Sequence, residues 1–247
     1  MHQFTFSAIG TIHSCYKEKF AIPRQPRLEN EAITELVLLA PYNRPDALRE
    51  IEQFSHILLI FIFNQIQQKA WKPLVRPPRL GGNQRIGVFA SRSTFRPNPI
   101  GLSAVELVKI NPNADKVSLL LRGCDLVDGT PIIDIKPYIP YSDAILNADA
   151  GFAATPPAIR CKVNFTSEAI EQYLQLEANL NRQKDLPPVN LKKLIIEILQ
   201  LDPRPSYQQL STDRVYAMRL YNIDLRWKYH SNEEILVLEL ANTENIN

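Results

Sequence analysis

Three arginines, Arg85, Arg92 and Arg96, share the stretch RIGVFASRSTFRPNPIGLS from Arg85 to Ser103 with two prolines around Asn98 and with Gly87 and Gly101, and no acidic residue interrupts them. A guanidinium stays charged at any working pH and presents a planar fork of donors to a carboxylate or phosphate, while proline and glycine fix where the backbone bends. The chemistry such a run can perform is anion capture on a shaped loop. The acid-free interval is wider than this stretch. Between Glu52 and Glu106 there is no Asp or Glu, yet the interval holds Lys69, Lys72, Arg76, Arg79, Arg85, Arg92 and Arg96, with Trp71 and Phe95 among them. Basic side chains interleaved with aromatics suit a phosphate backbone carrying unstacked bases; a solvated basic face is the plainer alternative.

Carboxylates form a second group. Residues Cys124 to Tyr138 read CDLVDGTPIIDIKPY and set Asp125, Asp128 and Asp134 close to an Asp128-Gly129 turn and a proline. Carboxylates beside apolar strands are costly unless something cationic meets them, either the arginines above or a cationic ligand. A third piece, FAIPRQPR from Phe20 to Arg27, uses its prolines to hold an extended backbone that presents Arg24, Gln25 and Arg27.

Several familiar chemistries are excluded. None of the eight glycines builds GxGxxG after a strand, and no GxxxxGK[ST] exists, so neither a Rossmann pyrophosphate loop nor a P-loop is present. His2, His13, His56 and His230 lack metal-ligand spacing, and Cys15, Cys124 and Cys161 form no CxxC pair, so no metal site and no disulfide framework is expected. There is no GxSxG for nucleophilic catalysis. The start MHQFTFSAIG lacks the order of a signal peptide, and the longest apolar run, Ile57 to Phe63, is too short to span a bilayer; a soluble, cytoplasmic protein without membrane contact is expected. The formal net charge of +2 says little about partners.

The elements that must position these residues are mostly strands in the first part of the chain. Phe4, Phe6, Ala8, Gly10 and Ile12 alternate as a half-buried strand would, and Ile33–Leu39, His56–Phe63, Val88–Ala90, Leu102–Ile110, Val117–Leu121 and Thr130–Ile139 read as further strands. Pro45 followed by DALREIEQF predicts a short helix, and NPNAD at Asn111 to Asp115 a turn. After about Ser142 the composition becomes small, polar and proline-tipped. Beyond it a strand at Cys161–Phe165, a helix capped by Ser167, a second helix over Leu191–Leu201 and three strands from Tyr216 to Leu240 predict a small α+β domain. The DPRP tetrad from Asp202 to Pro205 stops the second helix; Arg204 belongs either to a simple turn or to a contact with a partner subunit or RNA. The resulting division is residues 1–145, a linker 146–158, and residues 159–247.

Taken together, IGTIHSCYKEKFAIPRQPRL, RPPRLGGNQRIGVFASRSTFRPNPIGLS, DLVDGTPIIDIKPYIPYSDA and LDPRP resemble the TrmO family, also described as TsaA-like, over essentially the whole chain. The resemblance implies an S-adenosylmethionine-dependent tRNA methyltransferase acting on N6 of threonylcarbamoyl-adenosine just 3′ of the anticodon. It also implies a mainly β, barrel-like, non-Rossmann catalytic domain, a small α+β C-terminal domain and a homodimer. Carried across, the family's cofactor motifs fall on Pro23, Arg24, Gln25, Asn64, Gln65, Arg92, Leu102, Asp128, Gly129, Thr130 and Pro131. Where many relatives carry histidine before the glutamine, this chain has Asn64. The expected roles are Arg92 against the cofactor carboxylate, Leu102 against adenine, and Asp128, Asp134 or Tyr138 assisting at N6. Arg96 and Asn98 would orient the threonylcarbamoyl group, Arg76, Arg79 and Arg85 would hold tRNA phosphates, and Trp71 or Phe95 would stack near a base. Two other functions fit the residues without the resemblance: a non-enzymatic RNA-binding module, and a small-molecule methyltransferase whose arginines bind an anionic metabolite.

Overall fold

The computed structural model describes residues 3–19, 22–23, 31–65, 71–113, 116–182, 187–204 and 210–243. The chain divides into two compact units. The first comprises Met1–His13, Thr34–Cys124 and Gly129–Thr155; the second comprises Ser14–Ile33, Asp125–Asp128 and Pro156–Asn247.

The first unit is built on β1 (Gly10–His13), β2 (Ile33–Leu38), β3 (His56–Ile62), β4 (Leu74–Val75), β5 (Ile86–Gly87), β6 (Ile100–Asn113), β7 (Lys116–Arg122) and β8 (Pro131–Pro137). Six of these close into a barrel in the order β1-β2-β7-β6-β3-β8, while β4 and β5 pair as a separate ribbon. Alternation decides which side chains fill it. Along β3, Ile57, Leu59 and Phe61 are buried while His56, Leu58, Ile60 and Ile62 are half-exposed, the period-2 pattern of a strand with one face in a core. Gly101 is required by packing: a Cβ there would stand 2.2 Å from the Phe61 ring. The mainly β, non-Rossmann architecture expected from the sequence is thus present as a closed barrel.

Three local expectations fail, each for a physical reason. The strand predicted from Phe4 begins only at Gly10, and Phe4 and Phe6 are 77% and 60% exposed. The helix after Pro45 is two 3-10 turns, Pro45–Leu48 and Ile51–Gln53, separated by Glu50 in the left-handed conformation at φ 68°. Val88–Ala90 is also a 3-10 turn, its Val88 carbonyl accepting from the Ser91 amide at 3.2 Å and from Ser91 Oγ at 2.9 Å.

In the second unit, helices α2 (Ser167–Leu180) and α3 (Leu191–Leu199) accompany a sheet of order β10 (Val215–Leu220), β11 (Ile223–Ser231), β12 (Glu234–Asn242) and β9 (Lys162–Phe165); the one-turn helix α1 (Pro140–Asp143) belongs to the first unit. The cap of α2 is Thr166 rather than the expected Ser167, its hydroxyl accepting from the Ala169 amide at 3.1 Å. One apolar cluster runs from Cys15 and Tyr16 through Leu194, Ile195 and Ile198 to Trp227 and Val237.

Candidate functional site

At one rim of the barrel the end of β3, the loop before β6 and the start of β8 are tied together by main-chain bonds. The Phe63 amide donates to the Pro99 carbonyl at 2.8 Å, just before Asn64 and just after Asn98. The Gly129 amide donates to Ile12 O at 2.8 Å, and the Ile12 amide donates to Thr130 O at 3.0 Å, clamping the residues before β8 onto β1. Asn64 Nδ2 then donates to Gly129 O at 3.2 Å, fixing the carboxamide at the rim. Gly129 is left-handed at φ +77°, as the Asp-Gly turn requires, and a Cβ there would meet nothing within 4 Å. The Cα side of this turn is open to an approaching molecule, while its amide and carbonyl are held by Ile12 and Asn64.

The barrel wall below that rim brings two further expected residues together. In the strand register Leu102 lies opposite Ile60, and Ile60 lies opposite Asp134, so all three share one outward row. Two interstrand spacings separate Leu102 from Asp134, about 10 Å. Leu102 is 60% exposed, an apolar platform on the outer wall. Asp134 accepts from the Ile135 amide at 2.9 Å and pairs with Lys136 at 2.8 Å. Tyr138 is not in this row: it stands farther down the strand, its amide bonded to His56 O at 3.1 Å and its ring 6.4 Å from the His56 ring.

The arginines follow two patterns. Arg76, Arg79, Arg85 and Arg92 are exposed, and Arg79 also reaches Thr155 Oγ1 at 3.4 Å. Arg96 is half-buried: its Nη1 donates to Val88 O at 3.2 Å and to Ser91 O at 2.7 Å, so it braces the loop on which Asn98 lies. Lys72 lies 4.7 Å over the half-buried Phe95 ring, whereas Trp71 is exposed. Sequence reasoning passed over Phe89, which reads as a strand residue but projects from the 3-10 turn 73% exposed; Gly87 and Ser91 beside it were the available signal.

Asp128, in the second unit, has both carboxylate oxygens engaged. Oδ1 accepts from the Ser14 amide at 3.0 Å, and Oδ2 pairs with Lys17 at 2.8 Å. Pro23 is half-buried in that unit, while Arg24 and Gln25 lie outside the described residues.

The second unit also explains the DPRP tetrad. Asp202, in the left-handed region at φ 55°, is buried, and Arg204 grips it with Nε at 2.9 Å and Nη2 at 2.8 Å while Tyr229 donates to Oδ1 at 2.7 Å. The Arg204 guanidinium lies 5.0 Å over the Tyr229 ring. Burial acts to raise the Asp202 pKa, but the hydrogen bonds from Arg204 and Tyr229 outweigh it and hold the carboxyl below its ordinary value. Burial, helped by the Asp202 charge, pushes the Cys161 thiol up to about 11.

Among the described residues no group of three or more His, Cys, Asp or Glu is placed to hold a metal ion, and no helix is long and apolar enough to cross a membrane. The residues present fit the nucleoside cofactor that the sequence resemblance implies: a guanidinium at Arg92 for a carboxylate, an apolar wall residue at Leu102 for a base, and the exposed Gly129 turn beside the Asn64 carboxamide. Fold and site together define a closed six-stranded barrel with a polar rim and no dinucleotide-binding sheet.

The particular family follows from comparison with known proteins. Residues 11–144 match the tRNA-methyltransferase O N-terminal domain, and residues 159–243 match the TrmO C-terminal domain. The chain belongs to the tRNA-methyltransferase O family. It is 48% identical over 97% of its length, and 99% of the relative's, to the tRNA (adenine(37)-N6)-methyltransferase of Escherichia coli K12. A Pseudomonas aeruginosa PAO1 relative, RcsF, whose name describes an S-adenosylmethionine-dependent methyltransferase, is 45% identical over 95% of this chain and 96% of its own. The crystal structure of TrmO from P. aeruginosa superposes with a TM-score of 0.80 at 38% identity, covering 98% of both chains.

Proposed function

We propose that this protein transfers the methyl group of S-adenosylmethionine to N6 of adenosine 37 in tRNA, with threonylcarbamoyl-adenosine as the base it accepts. The observation that carries the reading is the 48% identity, over nearly the full length of both chains, to the E. coli tRNA (adenine(37)-N6)-methyltransferase. The bound cofactor supplies an electrophilic methyl group, and the chain's own residues must bring N6 to it. Proximity of the reacting atoms, about 3 to 3.5 Å in line, supplies much of such a rate. In this reading the cofactor-binding residues are Asn64, Gln65, Arg92, Leu102 and Gly129 to Pro131 in the first unit, and Pro23, Arg24, Gln25 and Asp128 in the second. Arg92 meets the carboxylate end, Leu102 packs on the base, and the Asn64 carboxamide orders the turn at Gly129.

N6 of a urea-like threonylcarbamoyl group has a delocalised lone pair, so a hydrogen-bond acceptor for its proton aids attack. Asp128 is occupied by Ser14 and Lys17, which suits it to positioning. Asp134 lies in the row with Leu102 and, although its oxygens meet the Ile135 amide and the exposed Lys136, is the carboxylate proposed as acceptor, with Tyr138 lower on the wall. Asp134→Asn is expected to slow single-turnover methylation by about 100-fold; an undiminished rate would remove carboxylate assistance. Arg96 holds the loop from which Asn98 meets the threonylcarbamoyl group, and Arg76, Arg79 and Arg85 hold phosphates. Exposed apolar residues such as Tyr141 and Leu146 supply surface that a second copy of the chain would cover in a cytoplasmic homodimer.

The reading is tested by incubating the protein with methyl-labelled S-adenosylmethionine and tRNA and counting label in the RNA. Time-dependent incorporation is expected. Cofactor binding without incorporation would instead point to a small-molecule substrate, and RNA binding without cofactor binding to a non-enzymatic module.

A further inference from the structure

We propose that Phe89 is a stacking platform that seats an unpaired base of the anticodon loop beside the target adenosine; the inference rests on the tRNA-directed reading above. Phe89 exposes 73% of its surface, yet its turn is firmly built. The preceding Val88 is buried, its amide donates to Pro73 O at 2.9 Å, and its carbonyl gathers donors from Ser91 and Arg96. Ser91 Oγ accepts from the Ser93 amide at 3.2 Å, and Ser93 Oγ accepts from the Phe95 amide at 3.3 Å, so the loop is wired along its length. A large aromatic ring held out to solvent on a braced turn loses little conformational freedom when a flat partner covers it.

The Arg96 guanidinium carbon lies 5.7 Å from the centre of the Phe89 ring. The same guanidinium is bonded to Val88 O and Ser91 O, so cation and ring are fixed in one unit. With the cation on one face, the other face is open for a nucleobase, giving an arginine-ring-base stack. The acid-free basic interval around it favours a polyanion over an apolar protein surface. Every base offers a π-face, so the contact adds affinity without reading sequence.

The test compares wild type with Phe89→Ala, Phe89→Leu and Phe89→Trp by fluorescence anisotropy on an anticodon stem-loop across a salt series, with S-adenosylmethionine calorimetry and sedimentation on each protein. Phe89→Ala is expected to weaken RNA binding about tenfold, leaving the slope against log salt and the cofactor affinity unchanged. Trp should retain binding, whereas Leu, equally apolar but without a π-face, should behave like Ala. Wild-type affinity in Phe89→Ala, or full rescue by Leu, would overturn the platform alone. Dissociation of Phe89→Ala to a smaller species would overturn it in favour of a subunit contact. A wild-type protein that binds no RNA would overturn the functional reading, and the platform with it.

Discussion

Arg204 of the second unit and Arg76 of the first are both followed by proline, yet they end in opposite environments. Arg204 has Asp202 two residues before it; the pair folds back on itself over Tyr229, with Asp202 buried and Arg204 mostly so. Arg76 lies in an interval that contains no carboxylate and is exposed. The acid beside Arg204 makes it a structural cation, as carbonyls do for Arg96, whereas exposed Arg76 keeps its charge available to an anion from outside.

The sharpest way to break this contrast is to remove the structural arginine. Arg204→Ala removes the bidentate partner of a buried carboxylate and is expected to destabilise the second unit by about 3 to 5 kcal/mol. The fluorescence of buried Trp227 in a Trp71→Phe background reports it. An unchanged denaturation midpoint would show that the pair is surface decoration. For the exposed set, changing Arg76, Arg79 and Arg85 together to alanine should lower the slope of log tRNA affinity against log salt by nearly 3, about 0.9 per phosphate contact. An unchanged slope would return these residues to a solvated face.

The same contrast has a pH signature. Because the folded Asp202 pKa lies below its ordinary value of 3.8, its contribution is fully present above that pH and is lost as the pH falls through the depressed folded value. Acid unfolding of the second unit should therefore steepen below about pH 4, and Asp202→Asn should flatten that limb. The smallest expected effect is at the rim. Gly129→Ala, with open space for its Cβ but a left-handed backbone, should cost about 1 kcal/mol in thermal stability. A neutral result would mean that the turn relaxes.

Sequence periodicity revealed the barrel strands because one face of each is packed: Ile57, Leu59 and Phe61 announce β3 without help. It failed where hydrogen bonds of a single turn decide, as at Glu50 and at Val88–Ala90, since apolar residues in a 3-10 turn look like a strand fragment. The row of Leu102, Ile60 and Asp134 depends on register between strands distant in sequence, which no local pattern encodes. The engagement of Asp128 by Ser14 and Lys17 likewise joins residues more than a hundred positions apart. Arg204 was ambiguous because only the fold brings Tyr229 to Asp202.

The most direct measurement is nucleoside mass spectrometry of tRNA with and without the threonylcarbamoyl group at adenosine 37, after incubation with the protein and S-adenosylmethionine. The account predicts a mass gain of one methyl on the threonylcarbamoyl-adenosine nucleoside and none on unmodified adenosine. A methyl group at any other position, or equal methylation of the unmodified tRNA, would contradict it.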